Sequence, residues 1–226
     1  MTISFIAGGA AAADTLTLPS LTIGDLIIGI GLAPAAGSIT ITIPAGWWTQ
    51  KITGTSAGRS HAFGVRFVDD TSFSFGTWTT AEKVAYLIFR SDTGIVLPVN
   101  LTGNPTNTTN ATLLHPSVSS AIFTALRGDL RILLLASSSV TGNGVDNAIT
   151  DFTQIFQSTL ASHDLVVNLS DAEKSSQNTT TRTLTGTANS FGTSWGLWEV
   201  PYSLPSGGGD INIGIGVGRQ LARTNI

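Results

Sequence analysis

Apolar and polar residues alternate with a period of two along much of this chain. Ile39, Ile41 and Ile43 alternate with Ser38, Thr40 and Thr42 before Pro44, and Thr15 to Leu18 reads Thr-Leu-Thr-Leu. Successive side chains on a strand point to opposite faces, so such runs predict strands with one buried and one wet face. The same pattern, bordered by Gly, Asp or Ser, predicts strands at 3–7, 62–68, 73–77, 84–89, 95–99, 130–136, 165–169, 182–187 and 197–202. Helix signals are sparse. Residues 117–126 and 151–160 each suit a turn or two, the second with Asp151 as N-cap.

A repeat weighs against that second helix. Gly24-Asp25-Leu26 and Gly128-Asp129-Leu130 each open an apolar run, at an offset of 104 (128 − 24). Thr49-Gln50 matches Thr153-Gln154 at 104, Ser60-His61 matches Ser162-His163 at 102, and Pro19-Ser20 matches Pro116-Ser117 at 97. Phrases marching in order with small drifts indicate a duplicated structural unit. The repeat aligns 151–160 with the strand-turn segment around Trp48 to Gln50 and so predicts a strand there too. The expected fold is all-β: an antiparallel β-sandwich, jelly-roll-like, built from an internal duplication. It is one domain, 1–226, of two repeats, about 1–99 and 113–203, with a C-terminal strand and arm at 210–226. The polar stretch 100–112, with Asn104-Pro105, is the expected linker.

Composition narrows the function. Charged residues make up 11% of the 226, against about 25% in an average soluble protein, and a lightly charged surface suits a subunit of an assembly. Net charge is −3 and the 11 Lys and Arg are scattered, so the footprint of a nucleic-acid binder is missing. Without cysteine there is neither thiol catalysis nor a Cys-containing zinc site. Residues 1–14 are apolar, but the first positive charge is Lys51, so a signal-peptide n-region is not expected. No apolar stretch reaches the roughly 18 residues of a membrane span, and no membrane insertion is expected.

Candidate chemistry is thin. His61, His115 and His163 are far apart in sequence, and two of them match by repeat, which favours strand or turn roles. Asp69-Asp70 reads as a turn, because neighbouring carboxylates on a strand face opposite sides and do not form a glycosidase pair. Asp146, in Gly-Asn-Gly-Val-Asp-Asn, fits a hairpin better than a calcium loop. Asn107-Thr108-Thr109 and Asn178-Thr179-Thr180 are acceptor triplets of a kind expected by chance in a Thr-rich chain. No catalytic residue, cofactor or metal is assigned.

Two features lack a counterpart in the other repeat. Trp47-Trp48 follows Pro44-Ala45-Gly46; on a strand adjacent tryptophans face opposite sides, so one enters the core while the other is offered to a partner or a sugar. From Ile211 the tail alternates Ile211, Ile213, Ile215 and Val217 with Asn212, Gly214, Gly216 and Gly218. No Lys-Ser/Thr follows these glycines, so they do not form a phosphate loop; a strand with one bare backbone face invites close approach. Beyond it, 219–226 carries Arg219 and Arg223 and no acid. The candidate partner or glycan contacts are Trp47, Trp48, Gly214, Gly216, Gly218, Arg219 and Arg223.

Phe5 and Gly8, Thr17-Leu18-Pro19, Gly24-Asp25-Leu26-Ile27, Pro44-Ala45-Gly46-Trp47, Gly76-Thr77-Trp78 and Tyr86-x-x-Phe89-Arg90 follow one another in an order that resembles a family of tailed-phage and prophage virion proteins. The resemblance covers most of the first half and, through the second Gly-Asp-Leu, part of the second. Trp48 and the glycine-alternating tail depart from it. It implies a β-sandwich, a non-enzymatic structural role as exterior capsid decoration, cement or head fibre, and location on a virion assembled in the bacterial cytoplasm. Implied partners are capsid or tail proteins and further copies of the chain. The alternative is a tail-fibre or receptor-binding protein that recognises host surface glycan.

Overall fold

The computed structural model describes residues 3–33, 39–47, 49–54, 60–91, 95–96, 102–107, 112–115, 130–138, 152–160, 163–170, 182–185 and 190–199. These residues are all-β and contain no helix. The first sheet holds β1 (Ser4–Ala11), β2 (Leu26–Leu32), β3 (Thr49–Gly54), β4 (Ser60–Phe67) and β5 (Lys83–Arg90), in the order β1-β5-β2-β4-β3. The second holds β6 (Ile95–Val96), β7 (Thr102–Asn107), β9 (Leu130–Ser138), β10 (Phe152–Ser158), β11 (Asp164–Ser170) and β13 (Ser190–Glu199), in the order β10-β11-β9-β13-β6, with β7 also on β13. Every pairing is antiparallel, including a separate ladder of β8 (Thr112–His115) with β12 (Arg182–Thr185).

Strand order runs the same way in both sheets. β5-β2-β4-β3 in the first corresponds to β13-β9-β11-β10 in the second, each flanked on the β5 or β13 side by an earlier strand. The register does not follow a single offset. Ser60-His61 and Ser162-His163, at 102, map Phe63 and Val65 onto Leu165 and Val167, and all four lie in one core shared by the sheets. Gly-Asp-Leu, at 104, maps Ile28 and Ile30 onto Ile132 and Leu134, yet Leu133 and Leu135 are the β9 residues in that core. A slip of one residue exchanges the faces of a strand, so this phrase precedes two corresponding strands without matching their faces.

The shared core takes Leu26, Ile28, Ile30 and Leu32 from β2, Leu87 and Phe89 from β5, and Leu133, Leu135, Val167 and Leu169 from the second sheet. The first sheet is buried on its other face as well. There Ile27, Ala62, Val84 and Ile88 pack under Ile41, Ile43, Trp47, Phe75 and Trp78, with Leu16, Leu18 and Leu21 alongside. β2 is therefore buried along its whole length, as its nearly unbroken apolar run requires.

This covering layer corrects three expectations. Residues 15–18, 39–43 and 73–77 alternate as read, but none joins a sheet; Thr42 makes one isolated bridge to Thr79. The layer is tied down by Thr15 Oγ1 donating to the Gly76 carbonyl and Trp78 N–H donating to Asp14. Periodicity reports which side chains are buried, and it is silent on whether neighbouring backbones pair. The expected linker is also corrected, since Thr102–Asn107 is a strand on β13. The 151–160 segment forms β10, as the repeat predicted and the helix signal did not. Residues 117–126 lie outside the described residues.

β3, at one edge of the first sheet, pairs with β4 in unbroken register, whereas other edge strands are irregular. β1 has a register shift between Phe5 and Ala7, β10 between Gln154 and Phe156, and β7 contains Pro105 and pairs across a further shift. Bulges and proline blunt an edge against strand addition.

Candidate functional site

Of the adjacent Trp47 and Trp48, both candidate contacts, one is expected in the core and the other at the surface, and Trp47 is buried in the core. It is 5% exposed, and its indole N–H donates to the Phe75 carbonyl at 3.3 Å. Phe73, Phe75 and Trp78 meet its ring edge-on, with centroids 5.3 to 5.5 Å away. The ring rests on a strip of glycine backbone. A Cβ built on Gly29 would stand 2.6 Å from Trp47, one on Gly64 2.8 Å from Trp47, and one on Gly31 2.7 Å from Trp78. Gly29 and Gly64 are cross-strand partners, so two bare positions lie side by side where the indole needs room. Trp47 as a glycan or partner contact is thus corrected: its aromatic surface is used up in the fold. Trp48, Gly214, Gly216, Gly218, Arg219 and Arg223 lie outside the described residues.

The other phrases that carry the resemblance also turn out to be packing and turn residues. Gly24 has φ +92°, the left-handed turn before β2. Asp25 behind it is 1% exposed and accepts from Arg90 Nε at 2.6 Å, Arg90 Nη2 at 2.9 Å and Thr22 N at 2.9 Å. These bonds hold the Arg90 guanidinium above its ordinary value. Gly-Asp-Leu is therefore a turn plus a clamp on the end of β5. Arg66 holds the Pro-Ala-Gly-Trp turn by donating to the Gly46 carbonyl while it stacks on Phe73 and pairs with Asp69. Asp70 accepts from the Ser72 backbone and hydroxyl, which lowers its carboxyl and closes the predicted Asp-Asp turn.

A polar site at one end of the seam between the sheets was not anticipated. Lys83 opens β5 and is fully buried; its Nζ donates to the Ser158 carbonyl at 2.9 Å and the His163 carbonyl at 3.1 Å, both from the second sheet's side. Burial pushes the amine down to about 8, with the charge of Asp164 acting the other way. His163 is also buried, with Nε2 3.1 Å from the Ala33 carbonyl and Nδ1 3.8 Å from Glu82 Oε2. His61 stands in the same cross-strand row as Leu32 and Lys83. Both repeat-matched histidines are buried at strand starts, in keeping with the roles read for them. His115, on β8, is described by its backbone alone.

The signal for Lys83 was present but weak: one lysine at the head of the apolar run 84–89. Lysines commonly border buried strands as solvated ends, and only the second sheet turns this one inward. Chemically the arrangement joins two sheets through the Lys83 bonds on the Ser158 and His163 carbonyls.

Searches of protein-family models, curated proteins and solved structures return no match to this chain.

Proposed function

We propose that this chain is a non-enzymatic structural protein of a tailed-phage virion, an exterior capsid decoration, cement or head-fibre subunit acting as a homo-oligomer. In this reading its two sheets pack as a jelly-roll-like sandwich that arose by duplication. The observation that carries the proposal is where the resemblance residues fall. Asp25, Trp47, Trp78, Phe89 and Arg90 come together as core, turn and clamp of the first sheet. What the resemblance transfers is therefore a scaffold. The titratable groups Lys83 and His163 are buried where the two sheets meet, which supports a role without turnover.

The irregular edges at β1, β10 and β7 disfavour strand addition there, which leaves loops, faces, the C-terminal arm or the regular β3 edge for assembly. The burial of Trp47 weighs against the glycan-receptor alternative, whose aromatic platform is reduced to Trp48. The test is imaging of virions carrying a label at Met1 or Ile226. Label over the capsid supports the proposal; label confined to the tail overturns it in favour of a tail-fibre role. A solution mass measurement that finds only monomer at high concentration would remove the oligomer.

A further inference from the structure

Four titratable residues meet at the end of the seam, and they meet as two consecutive pairs. Glu82-Lys83 leads into β5 on the first sheet, and His163-Asp164 leads into β11 on the second. Acid-then-base faces base-then-acid. Glu82 Oε2 lies 3.8 Å from His163 Nδ1, and Lys83, held on the His163 carbonyl, feels the charge of Asp164. His163 Nε2 lies 3.1 Å from the Ala33 carbonyl. An acceptor thus stands near each imidazole nitrogen, and only the doubly protonated ring offers a hydrogen to both.

We propose that Glu82-Lys83 and His163 form a proton-operated clasp between the two sheets, in which protonation of His163 adds a Glu82–His163 charge pair to the Lys83 bonds on the Ser158 and His163 carbonyls. Burial of the ring, the Lys83 ammonium and a protonated His61 further along the same row work against that proton. The Glu82 and Asp164 carboxylates and the Ala33 carbonyl work for it. The Glu82 carboxylate, 3.8 Å from Nδ1, and the Ala33 carbonyl, 3.1 Å from Nε2, set the sign. With His163 charged, its ring faces the Glu82 carboxylate as an opposite charge. Once it is neutral, the charge attraction between His163 and Glu82, whose side chain is 40% exposed, is gone. A proton taken up on folding makes stability grow as pH falls through the imidazole range, and the gain is lost as pH rises again. The inference concerns the chain in solution and does not depend on the virion reading.

The test compares wild type, Glu82→Gln and His163→Gln in denaturant titrations between about pH 8 and about pH 5.5, with NMR of the imidazole signals. The chain has 3 histidines, so the signals are readily assigned. The unfolding equilibrium constant of wild type is expected to fall on acidification by about five-fold more than that of Glu82→Gln, the size of a partly exposed ion pair. The His163 signal is expected to titrate at higher pH in wild type than in Glu82→Gln. If His163→Gln does not fold, Glu82→Gln, altered at a part-exposed side chain, still decides. Identical pH profiles for wild type and Glu82→Gln, or a His163 ring that stays neutral throughout, would overturn the clasp.

Discussion

Replacing Lys83 with methionine removes an amine that is fully buried at the junction of the sheets. That amine is pushed from 10.5 down to about 8, by burial first and against the pull of Asp164. The unfolded chain keeps its proton up to the ordinary lysine value, whereas the folded chain releases it near 8. Between those values the unfolded state binds more protons, so this group makes stability rise with pH. At 1.36 kcal/mol per unit the whole shift is worth about 3 kcal/mol, of which about 2 kcal/mol has developed by about pH 9.5. Hydrogen bonds to the Ser158 and His163 carbonyls favour the ammonium and bring the expectation down to about 1–2 kcal/mol. Urea midpoints at about pH 7.5, 8.5 and 9.5 measure it, a range that stops short of the Tyr86 phenol, which burial pushes up from 10.0. Wild type should gain on Lys83→Met by that amount across the range. Parallel profiles would refute a buried, charge-strained lysine. If Lys83→Met does not fold, NMR of the 3 lysines in wild type answers the same question, since Lys83 must titrate ahead of the ordinary lysine range.

Further outcomes follow from the packing and from the proposed role. Gly64→Ala forces a methyl group into the Trp47 indole and should cost about 1–3 kcal/mol in a denaturant titration, with a shift in tryptophan emission. Trp47→Ala empties the middle of the aromatic layer and should cost about 3–5 kcal/mol by the same assay, so any loss of binding in that variant must be checked against loss of fold. Asp25→Asn weakens the clamp on Arg90, whose Nε and Nη2 both donate to this carboxylate, and should lower the thermal midpoint. Deleting 210–226 should leave the thermal midpoint near that of the full chain and reduce the oligomer mass seen by light scattering; an unchanged mass would take the arm out of assembly.

Much of the strand content could be read from residue pattern alone. Residues 62–68, 84–89, 130–136 and 165–169 carry apolar runs or alternation strong enough to locate β4, β5, β9 and β11. β7 was hidden because its residues, Thr-Gly-Asn-Pro-Thr-Asn, carry loop chemistry and become a strand through pairing with β13. Conversely, Ile39 to Ile43 looked like the cleanest strand and is a cover, because its isoleucines bury against the first sheet while its backbone makes only one bridge. Little of the seam site was legible. Glu82, Lys83, His163 and Asp164 are separated by about 80 residues, and no local pattern states that two strand starts from different sheets will meet.

By itself the sequence determined the all-β class, the turns at Gly24-Asp25 and Asp69-Asp70, and the repeated order of phrases. These are local properties, set by side-chain alternation, by φ preferences and by short hydrogen bonds within a few residues. Tertiary structure alone decided that the Ser-His phrases share faces while the Gly-Asp-Leu phrases do not. It also decided that Trp47 is consumed by a strip of glycines, and that one lysine at a strand start is turned inward to join two sheets. Each of those depends on which backbone lies opposite, and that is settled only when segments distant in sequence compete for the same buried space.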